Sequence, residues 1–265
     1  MSLFNNLKRE IKNKKKYFIL VTIFILIYSL AFYFMMYSIE DKAVISIIST
    51  LNGQGGMAGA VAFIYLYTPI LFFGINSHIK SSEKESFIIK MKNRKNIFYS
   101  HVIFVIALSI IISMLIICLG YCIGGVYASG FKNLWPKNDP LYASPQYGNL
   151  NVLEILNSIP IYMVILKTFI LKFMGLSILG FFILILRSVI NNSGVLGIAV
   201  LVIPFIDVEF LNGILFMDKF SLSIESWVNP SYFLINIIYL IFLHIALYLI
   251  GKEIYKNKDF ISKGY

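Results

Sequence analysis

LKREIKNKKKYFILVTIFILIYSLAFYFMMYSIED, the stretch from Leu7 to Asp41, decides the fold of this chain. Lys8, Arg9, Lys12, Lys14, Lys15 and Lys16 run directly into Tyr17–Ile39, which carries no charge at all. About 20 apolar residues suffice to cross a hydrocarbon core of about 30 Å, so this run is long enough to span a bilayer. Bases crowded on one flank of such a run mark the end that stays in the cytoplasm. The run is longer than the core of a cleaved signal peptide, and Phe34–Asp41 offers no small-x-small cleavage site, so the span is expected to remain as an anchor.

The same arrangement repeats along the chain. Of 265 residues, 58% are hydrophobic and only 14% charged, with a mean hydropathy of +0.80. That is more apolar surface than a soluble core of this size can bury, and the surplus must face lipid. Uncharged runs extend over Ala43–Ser77 and Ser226–Gly251. Less clean runs cover about Ile97–Tyr121, part of Ile155–Leu186 and about Gly194–Ile206. Nothing alternates with the period of two of a membrane barrel, which leaves an all-α, polytopic bundle of about six transmembrane helices. Lys80, Lys84, Lys90, Lys92, Arg94 and Lys95, then Arg187, then Lys252, Lys256, Lys258 and Lys263 fall on the same side as the N-terminal bases. Only Lys42, Lys132, Lys137 and Lys219 fall on the other. Both termini are therefore expected in the cytoplasm. The net charge of +10 is accounted for by topology and contact with anionic lipid heads, and gives little reason to invoke nucleic acid.

The connecting segments carry the specific information. Over 1–16, Leu3, Phe4, Leu7 and Ile11 recur at helical spacing opposite Asn5, Asn6, Lys8, Arg9 and Lys12. This describes either a helix lying in the membrane interface or an ordinary basic flank. In 77–96, Ser82-Glu83-Lys84-Glu85 fits a capping box, so a short cytoplasmic helix should start there. Phe87, Ile88 and Met91 would form an apolar ridge on it that suits a partner's groove. The plainer reading is a charged loop that only fixes topology.

These features, namely Leu7-Lys8-Arg9-Glu10-Ile11, the loop Glu85-Ser86-Phe87-Ile88-Ile89-Lys90 followed by Asn93-Arg94-Lys95, and the six-span layout, resemble the ABC-2 family of ABC transporter permeases. The resemblance implies that 1–16 is an interfacial elbow helix and that Glu83–Met91 is the coupling helix docking on a cytoplasmic ATPase. Glu83, Glu85, Phe87, Ile88, Met91 and Arg94 would then be the ATPase-coupling residues. It further implies a second permease subunit, identical or related, and short re-entrant outer helices in 207–230. A basic residue common in the family just inside the third span is here replaced by the Ser100-His101 region, and the proline common before the loop's arginine is absent.

The chain has no G-x-x-x-x-G-K-[ST] phosphate loop, Gly251-Lys252 being followed by Glu253, so no cofactor is expected on it. ATP and Mg²⁺ would sit on the partner ATPase. The same resemblance favours export over import fed by a receptor, and a bacterial plasma membrane is the expected location. Richness in Lys, Ile, Asn, Phe and Tyr suits an A+T-rich bacterial genome, and small permeases of this kind often handle lantibiotics and other bacteriocins, in export or in producer immunity.

Lys167 and Lys172 interrupt the fourth run, and each costs roughly 2.5–3.5 kcal/mol at a helix centre. Either the run starts as an interface helix and crosses only from about Phe173, or one lysine faces the interior and meets an anionic substrate; snorkelling stems favour the first. The outer loop 124–154, with Trp135-Pro136, reads as a lid or a substrate gate, and the acids of 207–230 read as solvated. Cys118 and Cys122 read as packing residues, and Gly55-x-x-x-Gly59 and Gly120-x-x-x-Gly124 as places of close helix approach. His78, His101 and His244 stand apart in sequence, with no H-E-x-x-H or G-x-S-x-G, so no catalytic or metal residue is assigned. A membrane-embedded enzyme, or a non-transporting scaffold or sensor, is the alternative class.

Overall fold

Inside a bilayer every backbone N–H and C=O must find its partner within the protein, and long apolar runs meet that demand as helices. The structure, a computed structural model, describes residues 15–37, 41–82, 94–131, 134–143 and 151–257. The helices are α1 (Lys15–Met36), α2 (Val44–Ile48), α3 (Ala60–Ser82), α4 (Arg94–Tyr127), α5 (Val152–Ser158), α6 (Ile161–Val189), α7 (Ser193–Leu211), α8 (Ile224–Val228) and α9 (Pro230–Asn257). Among the described residues there is no strand, and six helices, α1, α3, α4, α6, α7 and α9, are long and apolar enough to cross a membrane. The chain is an all-helical, multi-pass membrane protein. The expected elbow lies almost wholly in 1–14, outside the described residues.

Lys15, Lys16, Lys80, Lys95, Arg187, Lys252 and Lys256 sit at the helix ends of one side, called here the basic side, while Lys42, Lys137 and Lys219 lie opposite. Helix α6 is the centre of the bundle: 67% of its crossing segment is buried, and it packs on α3, α4, α7 and α9. By contrast α1, α7 and α9 bury about a fifth of theirs or less, so they form the lipid-facing wall.

Four boundaries differ from the sequence expectation. The uncharged run Ala43–Ser77 is not one crossing; it folds first into α2, buried at all five positions, then a tight turn, and crosses only from Ala60. The break comes at Asn52–Gly56, where Gly53 and Gly56 adopt φ of +74° and +87°. At Gly56 a Cβ would lie 2.7 Å from the Ile48 carbonyl oxygen, so no other residue fits that turn without displacing backbone. Helix α3 opens with a wide π turn, Phe63–Tyr67, before regular geometry resumes at Thr68. Helix α6 runs unbroken from Ile161 after a stop at Pro160, with no break near Phe173, where the favoured reading began the crossing. Helix α7 extends to Leu211 because the Asn192 side chain caps its first turn and Asn212, at φ +50°, closes its last. Helix α9 starts at Pro230, the preceding Trp227 belonging to α8.

The glycine pair on α4 makes an intrachain seam. A Cβ on Gly120 would sit 3.2 Å from Ile48 Cγ1, and one on Gly124 only 2.9 Å from the Val44 carbonyl oxygen, so α2 rests directly on this face. Gly124→Val should therefore destabilise the detergent-purified protein by about 1–3 kcal/mol, seen as a lowered thermal midpoint, whereas Gly120→Ala should be tolerated. An unchanged midpoint for Gly124→Val would contradict this seam. Cys118 and Cys122 do not pack as expected: both are free thiols on the exposed face of α4.

Candidate functional site

Polar side chains come together at several places among the described residues. The first is at the basic end, where α3 stops and α4 begins. Ser82, the last residue of α3, lies with its Oγ 2.5 Å from His101 Nε2, and His101 Nδ1 lies 2.9 Å from the Tyr255 hydroxyl on α9. The Ser82 hydroxyl donates to the Ile79 carbonyl, so its oxygen accepts from His101 Nε2–H, which assigns Nδ1 as the acceptor for Tyr255 O–H. His78 stacks on Phe104 at 4.0 Å and meets His101 edge-on at 5.3 Å. The histidines called isolated are thus two neighbours and one partnered residue. His78 and His101 are 23 positions apart, and only the antiparallel α3–α4 pairing brings them together.

This clasp ties together both flanks of 83–93 and the C-terminal helix. Glu83, Glu85, Phe87, Ile88 and Met91 lie outside the described residues; Arg94 opens α4, its side chain likewise undescribed.

The second place is the turn that follows α7. Asp207, fully buried, accepts hydrogen bonds from the backbone N–H groups of Leu215 at 2.9 Å, Phe216 at 3.0 Å and Met217 at 2.8 Å. At the other end of the same turn, Lys172 Nζ on α6 donates to the Phe220 carbonyl at 3.0 Å and lies 4.9 Å from that ring's centroid. Anion at the N–H end and cation at the carbonyl end is the arrangement that backbone dipoles favour. Lys167 acts on the next stretch, donating to the Ser226 carbonyl at 3.2 Å beside the rings of Trp227 and Phe233. Lys172 faces the interior at 1% exposure and Lys167 is half-buried. The structure brings both to one re-entrant segment but not to a common ligand. Asp207 corrects the reading of these acids as solvated: its position at a helix end gave no sign that residues eight to ten further on return to it.

The third is the base-poor surface, where three segments close over the bundle. Leu51 accepts from Ile224 N–H, the Phe63 and Phe220 rings lie 4.5 Å apart, and Trp135 meets Trp227 edge-on at 5.3 Å. The outer loop is held down by Asp41 Oδ2, which accepts from Lys137 N–H at 2.5 Å and Asn138 N–H at 2.6 Å. Over 134–143 it is a structured lid.

Ser177 Oγ lies 2.5 Å from His244 Nε2, but this pair is a helix clasp between α6 and α9. His244 Nδ1 is spent on the Leu240 carbonyl where a catalytic base would need a carboxylate, and Ser177 is 1% exposed, out of a substrate's reach. Among the described residues no three His, Cys, Asp or Glu side chains gather to hold a metal.

Compared with protein-family models, characterised proteins and solved structures, the chain matches none.

Proposed function

We propose that this chain is the membrane-spanning permease subunit of an ATP-driven exporter, working with a separate cytoplasmic ATPase and a second permease copy or relative in a bacterial plasma membrane. The observation that carries the reading is the clasp at the basic end. One imidazole links the last residue before 83–93, the first turns after it and the final helix. Force applied to that segment by a partner would reach three crossings at once. The segment carries the apolar Phe87, Ile88 and Met91 among bases, the composition of a helix that docks in a groove. The closed base-poor surface then corresponds to the outward-closed member of an alternating pair, and nucleotide binding on the partner would shift the population between the two. An antimicrobial peptide, such as a lantibiotic, is the leading cargo, in export or self-protection.

The test is purification of the tagged chain from its native cells in mild detergent, with mass spectrometry of co-purifying chains and an ATPase assay. A stoichiometric Walker-type ATPase should accompany the wild-type chain and be lost from a Phe87→Asp, Ile88→Asp double variant that still folds. A functional chain that purifies with no ATPase would overturn the reading and return the enzyme or scaffold class.

A further inference from the structure

On the base-poor side a cavity of about 550 Å³ lies between α2, the end of α1 and the lid 134–143. That volume is within the range that encloses a small organic ligand, roughly 300–1,000 Å³. Met36, Ile45 and Leu141 contribute apolar wall, Asp41 and Asp139 are its charged members, and Ser46, Ser49, Thr50, Asn52 and Asn138 are its neutral polar ones. Each carboxylate uses one oxygen to order the lid: Oδ2 of Asp41 on Lys137 and Asn138, Oδ1 of Asp139 on Leu141 N–H at 2.9 Å. The second oxygen of each has no hydrogen-bond partner among the described residues. Ser46 is 8% exposed and lines the cavity, and its hydroxyl bonds to no other group among the described residues. Tyr142, beside the lid carboxylates, has its phenol pushed above the usual range by burial and then by the charges of Asp139 and Asp41, so the negative potential of both aspartates reaches this corner.

We propose that this cavity is a binding site for a small organic ammonium cation bearing an apolar group. The apolar wall takes the body of the ligand, the free carboxylate oxygens of Asp41 and Asp139 face its charge, and Ser46 forms part of the wall. The site does not depend on an ATPase partner, and its test is a binding measurement alone.

The full chain in phosphatidylcholine nanodiscs is titrated with benzyltrimethylammonium while tryptophan fluorescence is followed, empty nanodiscs serving as the blank. Trp135 adjoins Pro136 of the cavity wall and contacts Trp227, so the chain's two tryptophans report on occupancy. Saturable binding is expected, with neopentylbenzene, the uncharged isostere, and benzenesulfonate, an anion, failing to compete. Asp139→Asn keeps the acceptor for Leu141 and should weaken binding about tenfold or more, the loss of one near-surface charge pair. Ser46→Met, which fills cavity space without touching a charge, should abolish it. Both variants are first checked for native elution and helicity, and a variant that fails this check is replaced by Asp139→Ser or Ser46→Leu. No saturable signal, equal competition by the neutral or anionic probe, or undiminished affinity in folded variants at both positions would overturn the site.

Discussion

Asp207→Ala should lower the unfolding free energy of the purified protein by about 3–5 kcal/mol, the cost of emptying one side of a buried charged hydrogen-bond set. Three backbone N–H groups, those of Leu215, Phe216 and Met217, end on this carboxylate at 2.8–3.0 Å. Bonds to an ionised acceptor are roughly twice as strong as neutral ones, and each donor left buried without a partner costs about 1–3 kcal/mol. The turn cannot rotate its N–H groups into water, because Phe216 and Met217 are buried at 1% and 2% exposure. Total stabilities of about 5–15 kcal/mol leave little margin for such a loss. Asp207→Asn should fall between wild type and Ala, since its amide presents one acceptor oxygen and turns donors toward donors. Denaturant titration followed by far-ultraviolet circular dichroism measures both; a midpoint unmoved by the Ala variant would show that the turn holds without the carboxylate.

The crossings were legible in the sequence because lipid admits so few answers: a run such as Tyr17–Ile39 can only be a helix, and the bases beside it orient it. What the sequence hid was pairing at a distance. Asn52–Gly56 contained the signal that splits the second run, since glycines clustered with Asn mark a turn, but hydropathy alone carried the span through it. Asp207 looked like a loop acid because its donors come from residues that only return to it after folding. His101 looked solitary because Ser82 and Tyr255 are 19 and 154 positions away. The two lysines were visible as anomalies because each interrupts an otherwise apolar run. Which carbonyl each would meet depended on the path of 212–229. The coupling role proposed for Glu83–Met91 rests on the sequence resemblance alone, since these residues lie outside the described ones.

Lys172→Glu should prevent recovery of folded protein, whereas Lys172→Met should leave stability within about 1.5 kcal/mol of wild type or raise it. The argument turns on what surrounds the ammonium. Its Nζ has a carbonyl oxygen at 3.0 Å and the face of Phe220 at 4.9 Å, both negative partners, and no carboxylate bonds to it among the described residues. A glutamate there would set an anion against an oxygen and an aromatic face with no donor to accept from, an uncompensated buried charge worth at least about 3–5 kcal/mol. Methionine keeps most of the aliphatic stem and removes the ammonium's desolvation cost, roughly 2.5–3.5 kcal/mol on the insertion scale, in exchange for one hydrogen bond worth about 1–2 kcal/mol. Stability and transport then separate the two roles. On the proposed exporter reading, if Lys172 serves only the turn, Lys172→Met folds and exports; if the ammonium also meets an anionic group on the cargo, Lys172→Met folds, binds the proposed ATPase and fails to export. Lys172→Ala does not make this distinction, because the cavity left by the lost stem loosens Phe220 whatever the charge is for.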